Sequence, residues 1–290
     1  MPSRAIGDLR VSAIGMGAMT LTQVPDADVE RGVRAVQAAV DAGITLFDTA
    51  DSYGPTGEMG VNERALIAAL RQCPGALDRV LIATKGGHTR GPAATWWVDG
   101  SPTHLAAAAR ASAQRLGVDA LPLYQHHRPD VKVPFEESMG ALRQLVDEGV
   151  VVRVGVSNVD VAQLDIALRV VGDALVSVQN EYSLLVRSSE PVLRRCEEHG
   201  LAFLAWGPLG GMRAAKGLAG AAASVAAVAE RHGVSPQRVA LAWLLALSPV
   251  LIPIPGASRP ESVRDSAAAV DLVLDADDLR LLDGVGREGQ

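Results

Sequence analysis

Gly43-Ile44-Thr45-Leu46-Phe47-Asp48-Thr49-Ala50-Asp51-Ser52-Tyr53-Gly54 contains the unit from which the chain is built. Gly43 closes a helix in which Val29, Val33, Val36 and Val40 recur at helical spacing. Ile44 to Phe47 then form a short apolar strand that stops at Asp48. A carboxylate and, five residues later, a phenol are thereby delivered to the carboxyl end of a buried strand.

The unit recurs along the chain. Ahead of it, Ala5-Ile6 and the run Val11 to Met19 flank Gly7-Asp8, which predicts a hairpin leading into a first core strand near Gly15 to Met19. Behind it, Asn62 stands where a helix to about Cys73 needs a cap, and the strand Val80 to Lys85 follows. Ser101-Pro102 opens a helix that Gly117 ends, and Leu121 to Gln125 run as a strand into His126-His127. Helices closed by Gly149, Gly172 and Gly200 precede strands at Val150 to Val156, Leu175 to Val178 and Leu201 to Ala205. A longer helical region, about 214 to 247, leads to the strand Val250 to Ile254 and two last helices, Pro260 to Val270 and Asp275 to Leu282. Core strands therefore begin near residues 11, 44, 80, 120, 151, 175, 201 and 250. Each is an almost continuous apolar run, as parallel strands covered by helices are. Such alternation leaves an open doubly wound sheet or a closed barrel. Eight units favour an α/β fold, a (β/α)8 TIM barrel with an N-terminal β-hairpin and extra helices, in a single domain over residues 1–290.

Composition narrows the function. Hydrophobic residues at 48% and charged residues at 21% describe an ordinary soluble chain with a large core. A net charge of −6 leaves no footprint for nucleic acid or an anionic membrane. No apolar run reaches the roughly 20 residues of a membrane helix. Cys73 and Cys196 lack metal-ligand spacing and read as free thiols in a reducing compartment, so a cytoplasmic location is expected. Of 27 basic residues only Lys85, Lys132 and Lys216 are lysines, which makes Lys85, inside an apolar run, informative.

In a (β/α)8 barrel the site lies at the carboxyl ends of the strands. Those ends carry Met19, Asp48, Lys85, His127, Ser157-Asn158, Gln179-Asn180, Trp206 and Pro255-Gly256. Tyrosine, with an ordinary pKa of about 10, is a poor acid at neutral pH. A lysine beside it favours the tyrosinate, and a carboxylate such as Asp48 keeps a buried lysine charged. A histidine at the same rim can orient a substrate oxygen. Tyr53, Lys85, Asp48 and His127 therefore make an acid for a carbonyl oxygen. His126 alternates to the other side of its strand and reads as a core histidine. Gly15-Met16-Gly17 matches half of a dinucleotide fingerprint, which Thr20 breaks, and fits a tight backbone rim better.

Six stretches carry a resemblance: Asp48 to Gly54, Ala83-Thr84-Lys85, Gln125-His126-His127-Arg128-Pro129-Asp130, Gly155-Val156-Ser157-Asn158, Gln179-Asn180-Glu181-Tyr182 and Ile254-Pro255-Gly256-Ala257-Ser258. In this order, over essentially the whole chain, they resemble the aldo-keto reductase superfamily. The resemblance implies NADPH-dependent hydride transfer to an aldehyde or ketone without a Rossmann domain. It implies Tyr53 as general acid, Lys85 and Asp48 as its tuners and His127 as the residue orienting the carbonyl. Asp48, Ser157, Asn158 and Gln179 are implied at the nicotinamide, with Trp206 stacked on its ring. Pro208, Leu209, Gly210 and Gly211 would follow the pyrophosphate, with Gly17, Ala18, Met19 and Gly256 at the backbone rim. Ser258 and Arg259 would meet the adenosine 2′-phosphate, with Ser262 and Asp265 nearby. Where relatives often end this region with Glu-Asn against adenine, this chain has Asp265 and Ser266.

Trp96 and Trp97, in the long loop after Lys85, are expected to wall the substrate pocket, with residues near Met19 to Val24 and Leu209 to Met212. Only Gly284 to Gln290 follow the last helix, so the long C-terminal loop of steroid-reducing relatives is expected to be missing and the pocket open. The expected partner is a small-molecule carbonyl compound. No metal, nucleic acid or membrane is called for, and the oligomeric state stays open. The alternative is an NADP(H)-binding regulatory subunit resembling potassium-channel β subunits.

Overall fold

The computed structural model describes residues 1–24, 27–55, 57–91, 95–211 and 223–285. Eight strands form one parallel sheet: β3 (Met16–Gly17), β4 (Leu46–Asp48), β5 (Leu81–Gly86), β8 (Leu123–His126), β9 (Val154–Ser157), β10 (Leu175–Glu181), β11 (Ala202–Trp206) and β12 (Leu251–Pro253). The sheet closes on itself. Gly17 pairs in parallel with Gly256, and the amides of Gly15 and Gly17 donate to the carbonyls of Pro253 and Pro255 at 2.9 and 3.1 Å. The result is the (β/α)8 barrel.

The N-terminal hairpin, β1 (Ser3–Ile6) and β2 (Leu9–Ser12), plugs the amino end of this barrel. Ile6 and Val11 join Leu46, Leu81, Leu123 and Val176 in the apolar cluster that fills the interior. The turn glycine, Gly7, has φ +58 and lies so close to Val176 that a Cβ would sit 2.7 Å from its Cγ1. One expectation needs correcting here: the run from Val11 is divided, Leu9–Ser12 going to the hairpin and only Met16–Gly17 to the barrel.

Outside the sheet, a larger apolar cluster lies between strands and helices. The helices are α1 (Val29–Asp41), α2 (Val61–Leu70), α3 (Pro102–Leu116), α4 (Phe135–Asp147), α5 (Val161–Val171), α6 (Glu190–His199), α7 (Ala223–His232), α8 (Pro236–Leu247), α9 (Pro260–Ala267) and α10 (Ala276–Asp283). Local signals start them where the sequence indicated. Ser101 caps α3 by accepting from His104 N at 3.3 Å, and Asp160 with Gln163 forms a capping box on α5. Asn62 is an exception. It lies inside α2, behind the left-handed Gly60, and its side chain bonds Ala18, Thr22 and Thr49 instead. The loop after β5 is also more ordered than expected, a hairpin of β6 (His88–Arg90) and β7 (Trp96–Val98). The beginning of the predicted 214–247 helical region and residues 286–290 of the tail lie outside the described residues, as does Met212.

Closure allows no side chain at Gly17: a Cβ there would stand 2.9 Å from the Ile254 carbonyl oxygen. Gly17→Ala is expected to destabilise the fold by about 1–3 kcal/mol, the usual penalty of overpacking. Gly140→Ala, in α4 with nothing within 4 Å of the new methyl, should be neutral or stabilising. Urea unfolding midpoints for the two variants check this, and equal midpoints would contradict the closure argument.

Candidate active site

Strand alternation builds the site. Leu46, Leu81, Ala83, Leu123 and Leu204 point into the barrel, whereas Phe47, Ile82, Tyr124 and Phe203 face the helices. Continuing the inward parity to the carboxyl ends brings Asp48, Lys85, Gln125 and Trp206 to the top of the interior. Ser157 and Gln179 arrive beside them on paired positions of β9 and β10.

Lys85 is at the centre, with no exposed surface. Its ammonium donates to Asp48 Oδ2 at 2.6 Å, to the Thr49 carbonyl at 2.9 Å and to Tyr53 Oη at 3.1 Å. Three acceptors use all three N–H bonds. The other Asp48 oxygen accepts from Gln179 Nε2 at 2.7 Å and Gln125 Nε2 at 3.1 Å. The His127 ring meets Tyr53 edge-on, with centroids 5.5 Å apart.

Burial and charge set the protonation states. Burial alone would drive the Lys85 ammonium down, but Asp48 and Tyr53 more than reverse it, and the group stands above its ordinary value. Burial pushes the Tyr53 phenol up, and the pull of Lys85 in the other direction does not cancel it. The expected lowering of the tyrosine is therefore outweighed by desolvation, and Tyr53 is a protonated phenol at neutral pH. His127 is pushed well below 6.5, first by burial and then by Lys85, which keeps it neutral.

A cavity of about 330 Å³ opens onto these groups. Asp48, Tyr53 and His127 line it on one side, and Ser157, Asn158, Gln179 and Trp206 on another. Gly17, Met19 and Gly256 form its rim, with Pro208, Leu209 and Gly211 across from them.

Known proteins resolve what kind of site this is. The family model described as the aldo/keto reductase family matches residues 13–287. The chain belongs to the aldo-keto reductase family. An uncharacterized oxidoreductase of Schizosaccharomyces pombe is 34% identical over 97% of this chain and 89% of its own length. Pyridoxine 4-dehydrogenase of Escherichia coli is 31% identical over 98% of each chain. A crystal structure of an aldo/keto reductase from Klebsiella pneumoniae, in complex with NADP and acetate, superposes with a TM-score of 0.82 at 28% identity, covering 97% of this chain and 94% of that one. The chain is accordingly an NADP(H)-dependent oxidoreductase.

The residues present fit that cofactor. Trp206 Nε1 is buried without a partner, on a side chain that lines the cavity. Asn158, with a strained φ of +60, donates its amide to the His127 carbonyl and Ser157 Oγ. The Gln179 amide nitrogen is likewise taken by Asp48. The side-chain carbonyl oxygens of Asn158 and Gln179 are left as acceptors for a carboxamide. Gly207 and Gly211, both with positive φ, line the cavity and bring backbone close to it.

Other expected residues lie elsewhere. Ala18 is buried below the rim and offers only its carbonyl, to Asn62. Gly210 is not among the residues that line the cavity, and its amide is bonded to the Gly207 carbonyl. Ser258, Arg259 and Ser262 stand at the start of α9, past the rim at Gly256. The Asp265 carboxylate already has protein partners, Arg238 at 2.7 Å and the Ser235 hydroxyl. Trp97 departs from expectation. Trp96 lines the cavity, but Trp97, on the opposite face of β7, is 54% exposed and lines an outer cleft. Gln125, His88 and Arg128 also stand at this site and are not among the expected residues. Gln125 shares the parity of Lys85 on the adjoining strand, a signal that was available. His88 needed the β6–β7 hairpin, where it packs 4.9 Å from the His127 ring.

His126 points away from the cavity, fully buried and edge-on to Phe135 at 5.6 Å. Burial pushes its pKa down to about 4. The unfolded chain, with an ordinary histidine near 6.5, therefore takes up the proton first, and stability falls as pH drops below about 6.5. His126→Phe should remove this contribution, roughly 3 kcal/mol between pH 7 and pH 4. The measurement is the difference in unfolding free energy between the two proteins across that interval. A difference that does not vary with pH would contradict a neutral His126.

Proposed function

We propose that this chain is an NADPH-dependent carbonyl reductase, converting an aldehyde or ketone to an alcohol, with Tyr53 as proton donor. One observation carries the reading: a fully buried lysine holds the Tyr53 hydroxyl at 3.1 Å and Asp48 at 2.6 Å on the wall of the cavity. NADPH, when bound, supplies the hydride. The remaining work belongs to the protein. As negative charge grows on the carbonyl oxygen, Tyr53 gives up its proton, and Lys85 stabilises the tyrosinate left behind. His127, neutral at working pH, donates a hydrogen bond to the same oxygen and fixes its approach. Asp48 keeps Lys85 charged throughout and takes no proton. In the reverse direction the same tyrosinate accepts the alcohol proton.

Asn158 and Gln179 would hold the carboxamide and Trp206 would cover the nicotinamide ring, while Arg259 and Ser258 would meet the 2′-phosphate. The relatives with names are oxidoreductases, which favours this reading over a regulatory subunit. The buried free thiols Cys73 and Cys196 fit an enzyme working in the reducing cytoplasm.

Tyr53→Phe removes only the transferable proton. It should lower kcat for carbonyl reduction by roughly 10²–10⁴-fold, the scale of general acid catalysis, while NADPH binding, followed by fluorescence titration, persists. Undiminished turnover by the variant would sink the assignment.

A further inference from the structure

Arg128 directly follows His127 and lines the same cavity as Tyr53, His88 and Trp96. It also lines the adjoining outer cleft with Trp97 and Lys132. Several other arginines have committed carboxylate partners, as Arg238 has Asp265, Arg115 has Glu63 and Arg195 has Asp165. Arg128 is exposed, and among the described residues no carboxylate lies within ion-pair reach of it. The candidates are occupied or distant. Asp48 is neutralised by Lys85. Asp130 accepts at both oxygens from backbone amides, those of Gly100 and Lys132 at 3.0 and 2.9 Å. Glu181 feels the charge of Arg128 without pairing to it.

The mouth of the site thus carries an uncompensated cation beside the residue that faces the carbonyl oxygen. The wall beside it is aromatic, backed by the Arg90 guanidinium 4.1 Å over the Trp96 ring. His88 stacks on Trp96 with ring centroids 4.5 Å apart. Burial and then the field of Arg128 hold His88 at a pKa of about 4, so it adds no charge at neutral pH. A planar guanidinium at the end of an aromatic slot matches a carboxylate or phosphate through two parallel hydrogen bonds.

We propose that Arg128 selects carbonyl substrates that carry an anionic group, carboxylate or phosphate, on the part of the molecule away from the carbonyl. The inference rests on the carbonyl-reductase reading and narrows it to a substrate class. Lys132, farther along the cleft, supplies a second cation for a longer substrate.

The test compares aldehydes of one shape and different charge, followed by NADPH absorbance at low ionic strength: 4-carboxybenzaldehyde, 4-formylphenyl phosphate and the neutral methyl 4-formylbenzoate. For at least one anion, kcat/KM should exceed that of the ester by roughly 10–100-fold, the scale of a charge-assisted pair, mainly through KM. The anion that is preferred identifies the group. Arg128→Gln should bring the anion-to-ester ratio close to one, and Arg128→Lys should restore part of it. The ratio is internal to each variant, so a general loss of activity does not disturb it. Ratios near one in the unaltered enzyme, or a preference that survives in Arg128→Gln, would overturn the proposal while leaving the reductase reading intact. Absence of NADPH oxidation with all three aldehydes would count against the reductase reading itself and remove the basis of this one.

Discussion

A charged lysine with no exposed surface is the constraint on which the structure depends. An unpaired ammonium in such a place carries a penalty of several kcal/mol. Lys85 avoids it because each N–H has an acceptor, and because Asp48 supplies the opposite charge at 2.6 Å. Asp48 in turn would be left with an unsatisfied oxygen were it not for Gln125 and Gln179. One ion pair therefore ties β4, β5, β8 and β10 together, joining residues as far as 131 positions apart. None of these groups is satisfied unless β4, β5, β8 and β10 stand together in the sheet, so the network depends on the strand register that the apolar layers beneath it define.

The same pair fixes the proposed acid. Tyr53 lies on the segment between Asp48 and α2, which is held from several sides. The Thr49 carbonyl accepts from Lys85, the Asp51 amide donates to the Lys85 carbonyl at 3.2 Å, and the Asn62 amide donates to the Tyr53 carbonyl at 3.1 Å. Asn62 then binds Thr49, Ala18 and Thr22 with its side chain. Behind it, Glu63 joins Thr84 at 2.6 Å to Arg115 on α3. These contacts make the hydroxyl position a property of the backbone, which is what orienting a proton donor requires.

How far this is legible in sequence follows from the type of force involved. Glycines ending helices and short apolar runs are local signals, and they placed all eight strands, most within three residues. That Asp48, Lys85 and His127 would come together was legible because they end strands of common parity, and Tyr53 follows Asp48 by five residues. Partner choice is not local. Whether Gln179 spends its amide on Asp48 or on a ligand, and whether Asp265 meets Arg238, depends on side chains brought together only by the closed barrel. Asn62 had the chemistry of a helix cap, but Gly60 could turn the chain instead, freeing Asn62 for three longer-range bonds. Trp97 was misplaced by one step of alternation in a hairpin that the apolar pattern did not reveal.

Chemistry and selectivity thus rest on different supports. Asp48 and Lys85 lie in barrel strands, where any displacement strands a buried charge. The wall facing the substrate comes from β6 and β7, a two-stranded excursion whose cohesion is its own: His88 on Trp96, and the Arg90 guanidinium 4.1 Å over the Trp96 ring. The hairpin meets the reacting segment through the edge contact of His88 with His127 and through a hydrogen bond from the Arg90 guanidinium to the carbonyl of Gly54, next to Tyr53. Trp97, which makes neither contact, can therefore vary and reshape the outer cleft with less effect on the Tyr53 side of the site. Arg128 cannot vary so independently. It is one residue from His127, and its charge reaches His127 and His88 alike, so changing the cation at the mouth also changes the field in which the carbonyl oxygen is held.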